Sequence, residues 1–261
     1  MSRVASATPP PDEPDAPDSA VTLPATAMIV EQGARPGDGV RPLGEADIPA
    51  LLRLAREAIP DTMAARLGPS FAARYHRALL DEPDLHLDGY FLDGELLGFI
   101  VYSHDVRDAL RSAVRRHAFT FGSALLFALL SPKRLAFVLR IAGSVLGRLP
   151  EPGMDVRAEL LTIAVRRGAR GRGDVRRALG INVPHALIER AFSYLRSRGE
   201  SRVKVFCKPE SMDQAANGFV RKEGFILMGQ VVRWGILTNL YVKSLVETSD
   251  ASALPSGARE T

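Results

Sequence analysis

The stretch Leu161-Thr-Ile-Ala-Val-Arg-Arg-Gly-Ala-Arg-Gly-Arg-Gly173 runs from a β-strand pattern straight into a loop of alternating glycine and arginine. Glycines let backbone N–H groups approach a ligand closely, and arginines add fork-shaped hydrogen-bond donors. A helix that starts after the loop adds partial positive charge. The stretch therefore predicts a cradle for a pyrophosphate group. An exposed basic turn without a ligand is the alternative, because a glycine-rich loop alone is weak evidence.

The residues before this loop contain two helical patterns and a hairpin. A short extended piece is predicted over 40–42 as the first strand. Apolar residues then recur at helical spacing over 48–55, and Asp47 is predicted to cap that helix. A second helix is predicted over 70–80. Asp93-Gly94 joins two apolar runs within 89–102, which is the strongest hairpin signal in the chain. This half of the domain is therefore expected to combine helices with an antiparallel strand pair.

The residues after the hairpin begin with a basic helical pattern and then alternate between strands and helices. Residues 105–150 are predicted to form a helical insert between the third and fourth strands. Alternation of this kind is typical of a mixed α/β sheet. The further predicted elements are a strand over 158–165, a helix ending near Gly199, a strand over 202–207, a short helix over 212–222, and strands over 228–234 and 239–244.

Composition and charge indicate an ordinary globular core with polar ends. Hydrophobic residues make up 46% of the 261 residues and charged residues 25%, which excludes a fibrous or wholly disordered chain. Residues 1–38 and 247–261 lack apolar periodicity and are predicted to be disordered tails around one domain over 39–246. The amino-terminal tail is acidic, so the domain is more basic than the net charge of +4 suggests. A basic surface suits nucleic acid, an anionic membrane or a polyphosphate, and charge cannot rank the three.

Cysteine usage and the opening residues bear on location and metal binding. The single cysteine, Cys207, cannot form an internal disulfide, and Cys and His residues nowhere stand at metal-ligand spacing. The opening residues carry no apolar export-signal segment. A cytoplasmic protein without a metal is therefore expected. Cys207 is predicted to be a buried thiol rather than a nucleophile.

Three segments resemble motifs of the GNAT superfamily of N-acetyltransferases. Arg170-Gly-Arg-Gly173, after Ile163-Ala-Val165, is similar to the RGxGxG acetyl-CoA signature that follows the fourth strand in that family. Residues 213–225 are similar to its NxxAxxFYxKxGF element, and residues 93–99 to its DGxxVGF hairpin. The segments follow the family's order across most of residues 40–246. The resemblance implies a GNAT-like α/β fold with a mixed, mostly antiparallel central sheet flanked by helices.

The resemblance also implies an activity and a site. In that family the fourth strand splays from the fifth, acetyl-CoA lies in the gap, and an amine attacks the thioester directly, with protein groups that orient the reactants and stabilise the oxyanion. The amine must first lose a proton, and Glu159, at the start of the fourth strand, is the candidate general base. A carboxylate in solvent or in a salt bridge is the alternative for Glu159. The predicted acetyl-CoA-binding residues are Ile163, Ala164, Val165, Arg170, Gly171, Arg172, Gly173 and Asn217.

Two features depart from the family pattern. Val220 stands where many GNAT enzymes carry the tyrosine that protonates the departing thiolate, and Tyr194, Tyr241 or solvent are the remaining proton sources. The loop lacks the last glycine of the signature and continues through residues 174–184. Either this loop holds an insertion, or the following helix is longer and is broken at Pro184.

The acceptor is expected to be a small-molecule primary amine, and its identity stays open. Nucleic acid is not an expected partner, because no recognised binding motif is present. Over 107–148 the insert carries eight Lys or Arg residues against one acid, around an apolar run too short to cross a bilayer. This pattern fits a helical pair packed over the sheet, or a peripheral contact with an anionic membrane. A GNAT fold that binds CoA or a partner without turnover is the alternative function.

Overall fold

The structure is a computed structural model that describes residues 38–60, 62, 64, 67–119, 122, 139, 155–170, 180–233 and 236–246. These residues all belong to one compact unit of the chain. The predicted tails, apart from Asp38, lie outside the described residues. The loop residues 171–179 and most of the predicted insert lie outside them too.

The described residues form a seven-stranded central sheet. Its strands are β1 (Gly39–Pro42), β2 (His86–Leu92), β3 (Glu95–Ser103), β4 (Glu159–Val165), β5 (Arg202–Cys207), β6 (Ile226–Arg233) and β7 (Ile236–Ser244). Their order across the sheet is β1-β2-β3-β4-β5-β7-β6. β4 and β5 run parallel, and the other neighbours run antiparallel. The predicted mixed, mostly antiparallel sheet is confirmed.

Helices cover both faces of this sheet. They are α1 (Ile48–Ala58), α2 (Pro69–Leu80), α3 (Val106–Arg116), α4 (Val183–Ser197) and α5 (Gln214–Lys222). On one face, Leu51 of α1 and Leu79 of α2 belong to a buried cluster with Phe99 of β3. On the other face, Phe192 of α4 and Val220 of α5 belong to a second cluster. Two apolar layers therefore clamp the sheet from both sides.

The β2–β3 hairpin turns at Asp93 and Gly94, as the sequence predicts. Both residues have positive φ, 51° and 73°, which a two-residue type I′ turn requires. Gly89 of β2 meets a different requirement, because a Cβ there would lie 2.5 Å from a Leu43 side-chain carbon and 2.7 Å from one of Leu96. A side chain at residue 89 would therefore force the buried Leu43 and Leu96 side chains to shift.

The first turns of α1 and α5 differ in how the preceding aspartate is used. Asp213 accepts a hydrogen bond from the Ala216 N–H at 3.0 Å and so caps α5. Asp47 precedes α1, but its carboxylate binds the Arg41 guanidinium at 2.8 and 2.9 Å and makes no hydrogen bond to an α1 N–H. The prediction that Asp47 caps α1 is therefore wrong. The pair with arginine is bidentate and joins two full charges, whereas a cap would use one neutral N–H donor.

The predicted helical insert begins with α3. The Arg116 guanidinium donates to the carbonyl oxygen of Asp81 at 2.7 Å, which ties the end of α3 to the turn that follows α2. Residues 123–138 and 140–154 lie outside the described residues. Among the helices that the structure describes, none is both long enough and apolar enough to cross a membrane.

Candidate active site

β4 and β5 separate soon after they meet. Glu159 pairs with Lys204 and Leu160 with Val205, and within the described strands no further pairing joins them. β4 nevertheless continues to Val165, held on its other edge by β3. A gap therefore opens between the C-terminal halves of β4 and β5, and the β4 backbone beyond Leu160 borders it. Because buried N–H and C=O groups need hydrogen-bond partners, this edge suits an extended ligand that carries amides.

The predicted ligand contacts Ile163, Ala164 and Val165 all lie on the part of β4 that borders the gap. The Ala164 and Val165 side chains are buried in the two opposite cores. What these residues offer the gap is therefore backbone, which is the kind of contact that the sequence predicts. Their contact with acetyl-CoA stays a prediction.

The first turn of α4 lies beside the end of β4. Gly98 of β3 makes this approach possible, because a Cβ there would lie 3.0 to 3.1 Å from side-chain carbons of Leu187, Val165 and Val183. Residues 180–182 are not helical, so α4 starts afresh at Val183, with Pro184 in its first turn. Among the described residues, this favours an extended loop over a longer helix broken at the proline.

Arg170 anchors the start of the predicted phosphate loop. Its Nε donates to the carbonyl oxygen of Val165 at 2.5 Å, and its Nη2 to that of Ala58, the last residue of α1, at 3.3 Å. The Arg170 N–H donates to the Arg167 carbonyl oxygen at 3.2 Å. Arg170 is therefore engaged by protein groups and positions the loop, and its contact with a diphosphate stays a prediction. Gly171, Arg172 and Gly173 lie outside the described residues.

A buried ion pair marks the point where β4 and β5 separate. Glu159, 1% exposed, accepts a hydrogen bond at Oε1 from Nη1 of Arg233, 6% exposed, at 2.5 Å. The Arg233 guanidinium lies over the Phe206 ring, with Cζ 4.0 Å from the ring centroid. Lys204 lies next to Glu159 on β5, with its Nζ 5.9 Å from the same centroid. A solvent-exposed Glu159 is thus excluded, and its role as the general base stays a prediction.

Arg233 and Phe206 are members of this cluster that the sequence did not predict. Arg233 is 74 residues from Glu159 along the chain and reaches it from the far end of β6. One signal was available, because Arg233 is the single charged residue of β6 and ends an otherwise largely apolar strand. A lone charge in such a strand indicates a buried partner. It does not indicate which residue that partner is.

Asn217 is completely buried and makes four hydrogen bonds to protein groups. Its Nδ2 donates to the carbonyl oxygens of Lys208 at 2.9 Å and Asp213 at 2.6 Å. Its Oδ1 accepts from Asn239 Nδ2 and from the Tyr241 hydroxyl, both at 2.8 Å. A side-chain amide has two donor hydrogens and two acceptor lone pairs, so this set is complete. Asn217 therefore positions the end of β5, one wall of the gap, and its contact with pantetheine stays a prediction that this geometry does not favour.

Solved structures share the overall fold of this chain. The crystal structure of SsHAT matches this chain with a TM-score of 0.55 and 20% sequence identity, over 81% of this chain and 100% of SsHAT. The chain has the GNAT fold. No protein-family model matches the sequence, and no curated protein matches it significantly.

Named acetyltransferases are also among the matched structures. The ribosomal-protein-alanine N-acetyltransferase of Brucella melitensis matches with a TM-score of 0.47 and 16% identity, over 78% of this chain and 98% of that one. The PaiA N-acetyltransferase of Thermoplasma acidophilum, solved in complex with coenzyme A, matches with a TM-score of 0.42 and 14% identity, over 78% and 97%. At such identities the similarity concerns the fold.

The residue that the sequence resemblance aligns with the GNAT tyrosine is a core residue. Val220 is 3% exposed and packs in the cluster under α4 and α5. Of the two substitutes that the sequence leaves open, Tyr241 lies beside Asn217, whereas the Tyr194 ring packs 4.0 Å from the ring of His86 at another part of the sheet. Tyr241 is therefore the tyrosine that the fold brings next to the end of β5.

Cys207 ends β5 as a buried thiol, as the sequence predicts. Burial, together with the charge of Asp213, raises the pKa of the thiol to about 12. A thiol with so high a pKa is almost entirely protonated at neutral pH and is a poor nucleophile. The described residues also contain no group of three or more His, Cys, Asp or Glu side chains that could hold a metal ion.

Proposed function

We propose that the protein is an acyl-CoA-dependent N-acyltransferase that moves an acetyl group from acetyl-CoA to a primary amine by direct attack in a ternary complex. The observation that carries this proposal is the gap between β4 and β5 in a GNAT fold, with the buried carboxylate of Glu159 where the gap begins. The gap offers backbone hydrogen bonds to one substrate, and the carboxylate offers a charged partner to the other.

The pantetheine arm of acetyl-CoA fits the open edge of β4. Its amides can take the hydrogen-bonding places that β5 leaves along Ile163 to Val165. The diphosphate is expected on backbone N–H groups of residues 170–173, beyond the end of β4. The start of α4, held close by Gly98, contributes partial positive charge on the same side. Binding by backbone of this kind needs few specific side chains.

The chemistry then follows from proximity and charge. The acceptor binds as an ammonium ion and gives a proton to a base, for which Glu159 is the candidate. The amine nitrogen attacks the thioester carbonyl carbon and loses its second proton to solvent, while the C–S bond breaks and CoA leaves with the bonding electron pair. The thiolate takes a proton from solvent or from Tyr241, because Val220 has none to give. Orientation of the two substrates supplies much of the rate enhancement in such a reaction.

Calorimetry with acetyl-CoA, followed by a thiol-release assay against a panel of primary amines, tests the proposal. A double variant with Gly171→Val and Gly173→Val should lose acetyl-CoA binding, because added side chains keep backbone N–H groups away from the diphosphate. Gly168→Val is the matched control, since a Cβ at Gly168 meets no atom within 4 Å. If the double variant binds as tightly as the wild type, the diphosphate binds elsewhere.

A CoA-binding or partner-binding protein without turnover is the second candidate function. Val220 favours it, because a buried valine at the usual tyrosine position removes the general acid. The two candidates separate in one pair of measurements. Acetyl-CoA binding with amine-dependent thiol release supports the enzyme. Binding without release against every amine, in both the wild type and Val220→Tyr, supports the binding protein.

A further inference from the structure

The guanidinium group of Arg233 lies in a site built for a cation. On one side it donates to the carboxylate of Glu159, which is almost completely buried. On another it lies over the Phe206 ring at 4.0 Å. A carboxylate together with an aromatic face is a strong binding arrangement for an organic cation in a site shielded from water. The arrangement is selective for charge and is not specific to guanidinium.

This cation site coincides with the place where the acceptor must react. Glu159 and Lys204 form the first of the two residue pairs between β4 and β5, and the gap opens directly beyond the second. Phe206 follows two residues after Lys204 on the β5 wall. A group held between Glu159 and Phe206 therefore lies at the mouth of the gap that we propose for the thioester. No other acid has to be brought to this point for an ammonium ion to bind.

We propose that Glu159 and Phe206 form the binding site for the positively charged group of the acceptor amine, and that Arg233 occupies this site until the acceptor replaces it. The identification of that ligand as the acceptor rests on the proposed acyltransferase function, whereas the cation site itself does not. Arg233 is then an internal competitor of the substrate. The acceptor class that follows is an alkylamine that is protonated at neutral pH, and neutral or acylated amines are excluded.

The position of Arg233 allows such a replacement. It is the last residue of β6, the strand at one end of the sheet, which is hydrogen-bonded to β7. Its neighbours Val232 and Ile236 are 62% and 41% exposed, so this end of the β6–β7 hairpin projects from the core. Segments with few buried apolar contacts open at the lowest free-energy cost. When Arg233 leaves, an ammonium ion that binds Glu159 in its place neutralises the buried carboxylate, so no charge remains unpaired there.

A binding measurement that needs no turnover tests the cation site. In Arg233→Ala the site is vacated, and methylguanidinium, added below denaturing concentration, should raise the midpoint of thermal unfolding by binding between Glu159 and Phe206. The wild type should show a much smaller rise, because its own guanidinium competes for the site. Arg190→Ala is the matched control, since Arg190 also pairs with a buried carboxylate, that of Asp88, at 3.3 Å. A rise in Arg190→Ala equal to that in Arg233→Ala, or no rise in either, overturns the proposal.

A kinetic measurement tests the competition with the acceptor. Arg233→Met keeps an apolar side chain against Phe206 and should lower KM for a cationic amine by about tenfold or more. In the wild type only the minor fraction of molecules with Arg233 displaced can bind the amine, whereas in this variant all molecules can. Arg233→Lys keeps a cation on a side chain that stacks less well on the ring, and should lower KM by a smaller factor. If Arg233→Met is too unstable to assay, Arg233→Lys decides alone. An unchanged KM with a reduced kcat in these variants overturns the proposal in favour of a positioning role.

The two proposals fail in different ways. If methylguanidinium stabilises Arg233→Ala but no amine releases thiol from acetyl-CoA, the cation site stands and the acyltransferase function falls. If acetyl-CoA is turned over but Arg233→Ala neither binds methylguanidinium nor shows a lower KM, the function stands and the cation site falls.

Discussion

Replacing Glu159 with glutamine removes the charge that faces Arg233, and we expect it to lower the free energy of unfolding by about 3–5 kcal/mol. Both side chains are almost completely buried, 1% and 6% exposed, so water cannot take over the lost interaction. The guanidinium then stays in a site of low polarity without this carboxylate. Its stacking on Phe206 offsets a small part of the loss.

The double variant Glu159→Gln/Arg233→Met separates the pair from its surroundings. Methionine contacts an aromatic ring favourably and leaves no buried cation, so the double variant should recover most of the stability lost by Glu159→Gln alone. The coupling energy of this double-mutant cycle isolates the interaction between the two side chains. An exposed pair is the control: Glu57→Gln, opposite Arg166 at 3.8 Å, should change stability by less than about 1 kcal/mol.

Urea unfolding followed by fluorescence and circular dichroism measures these differences. With a denaturant slope of about 2–3 kcal/mol per molar, the midpoint for Glu159→Gln should fall by about 1–2 M. A fall of less than about 0.4 M, equivalent to about 1 kcal/mol, would refute the claim that the pair is buried and energetically coupled. If the double variant does not recover stability, the loss in Glu159→Gln comes from some other contact of Glu159.

Four further outcomes follow from single features. If Glu159 is the base, Glu159→Gln lowers turnover more at neutral pH than at high pH, where free amine is abundant. An equal loss at all pH values in an initial-rate assay would instead indicate a structural role for Glu159. Burial lowers the pKa of His76, whose Nδ1 bonds to the Ala72 carbonyl oxygen at 2.7 Å. The stability that neutral His76 contributes is therefore full above about pH 6.5 and declines as the pH falls. In His76→Gln, urea midpoints measured across pH should show a weaker decline. Gly89→Ala should cost about 1–3 kcal/mol by overpacking, against a negligible cost for Gly168→Ala, both read from thermal unfolding. The insert 107–148 is expected to bind anionic vesicles in a salt-sensitive way, with about 1 kcal/mol per well-placed base, which vesicle flotation at low and high salt measures. A variant in which a short Gly/Ser loop replaces the insert should keep its affinity for acetyl-CoA. If the wild type does not float with the vesicles at low salt, the membrane contact is refuted.

The sequence by itself determined the fold and most of the elements that the structure describes. The Asp93-Gly94 turn, the helical spacing after Asp47 and the strand at 202–207 are local patterns, and each one depends on residues close together in the chain. Such elements can be predicted from the sequence because turn residues and apolar periodicity restrict the local backbone conformation without help from tertiary contacts. The order of the GNAT-like motifs then limited the topology, and the mixed sheet followed.

Tertiary structure alone decided which side chains meet at the gap. Arg233 reaches Glu159 although β6 is the edge strand, separated from β4 by β5 and β7, and no local pattern specifies that contact. The same holds for Asn217, whose four partners lie just after β5, just before α5 and on β7 and leave no free hydrogen-bonding position. It also holds for Asp47, where a strand arginine outcompetes the helix that follows. Each of these contacts depends on the register and order of strands that are distant in the chain. Which side chain pairs with a given carboxylate or amide is decided only when those strands have packed together.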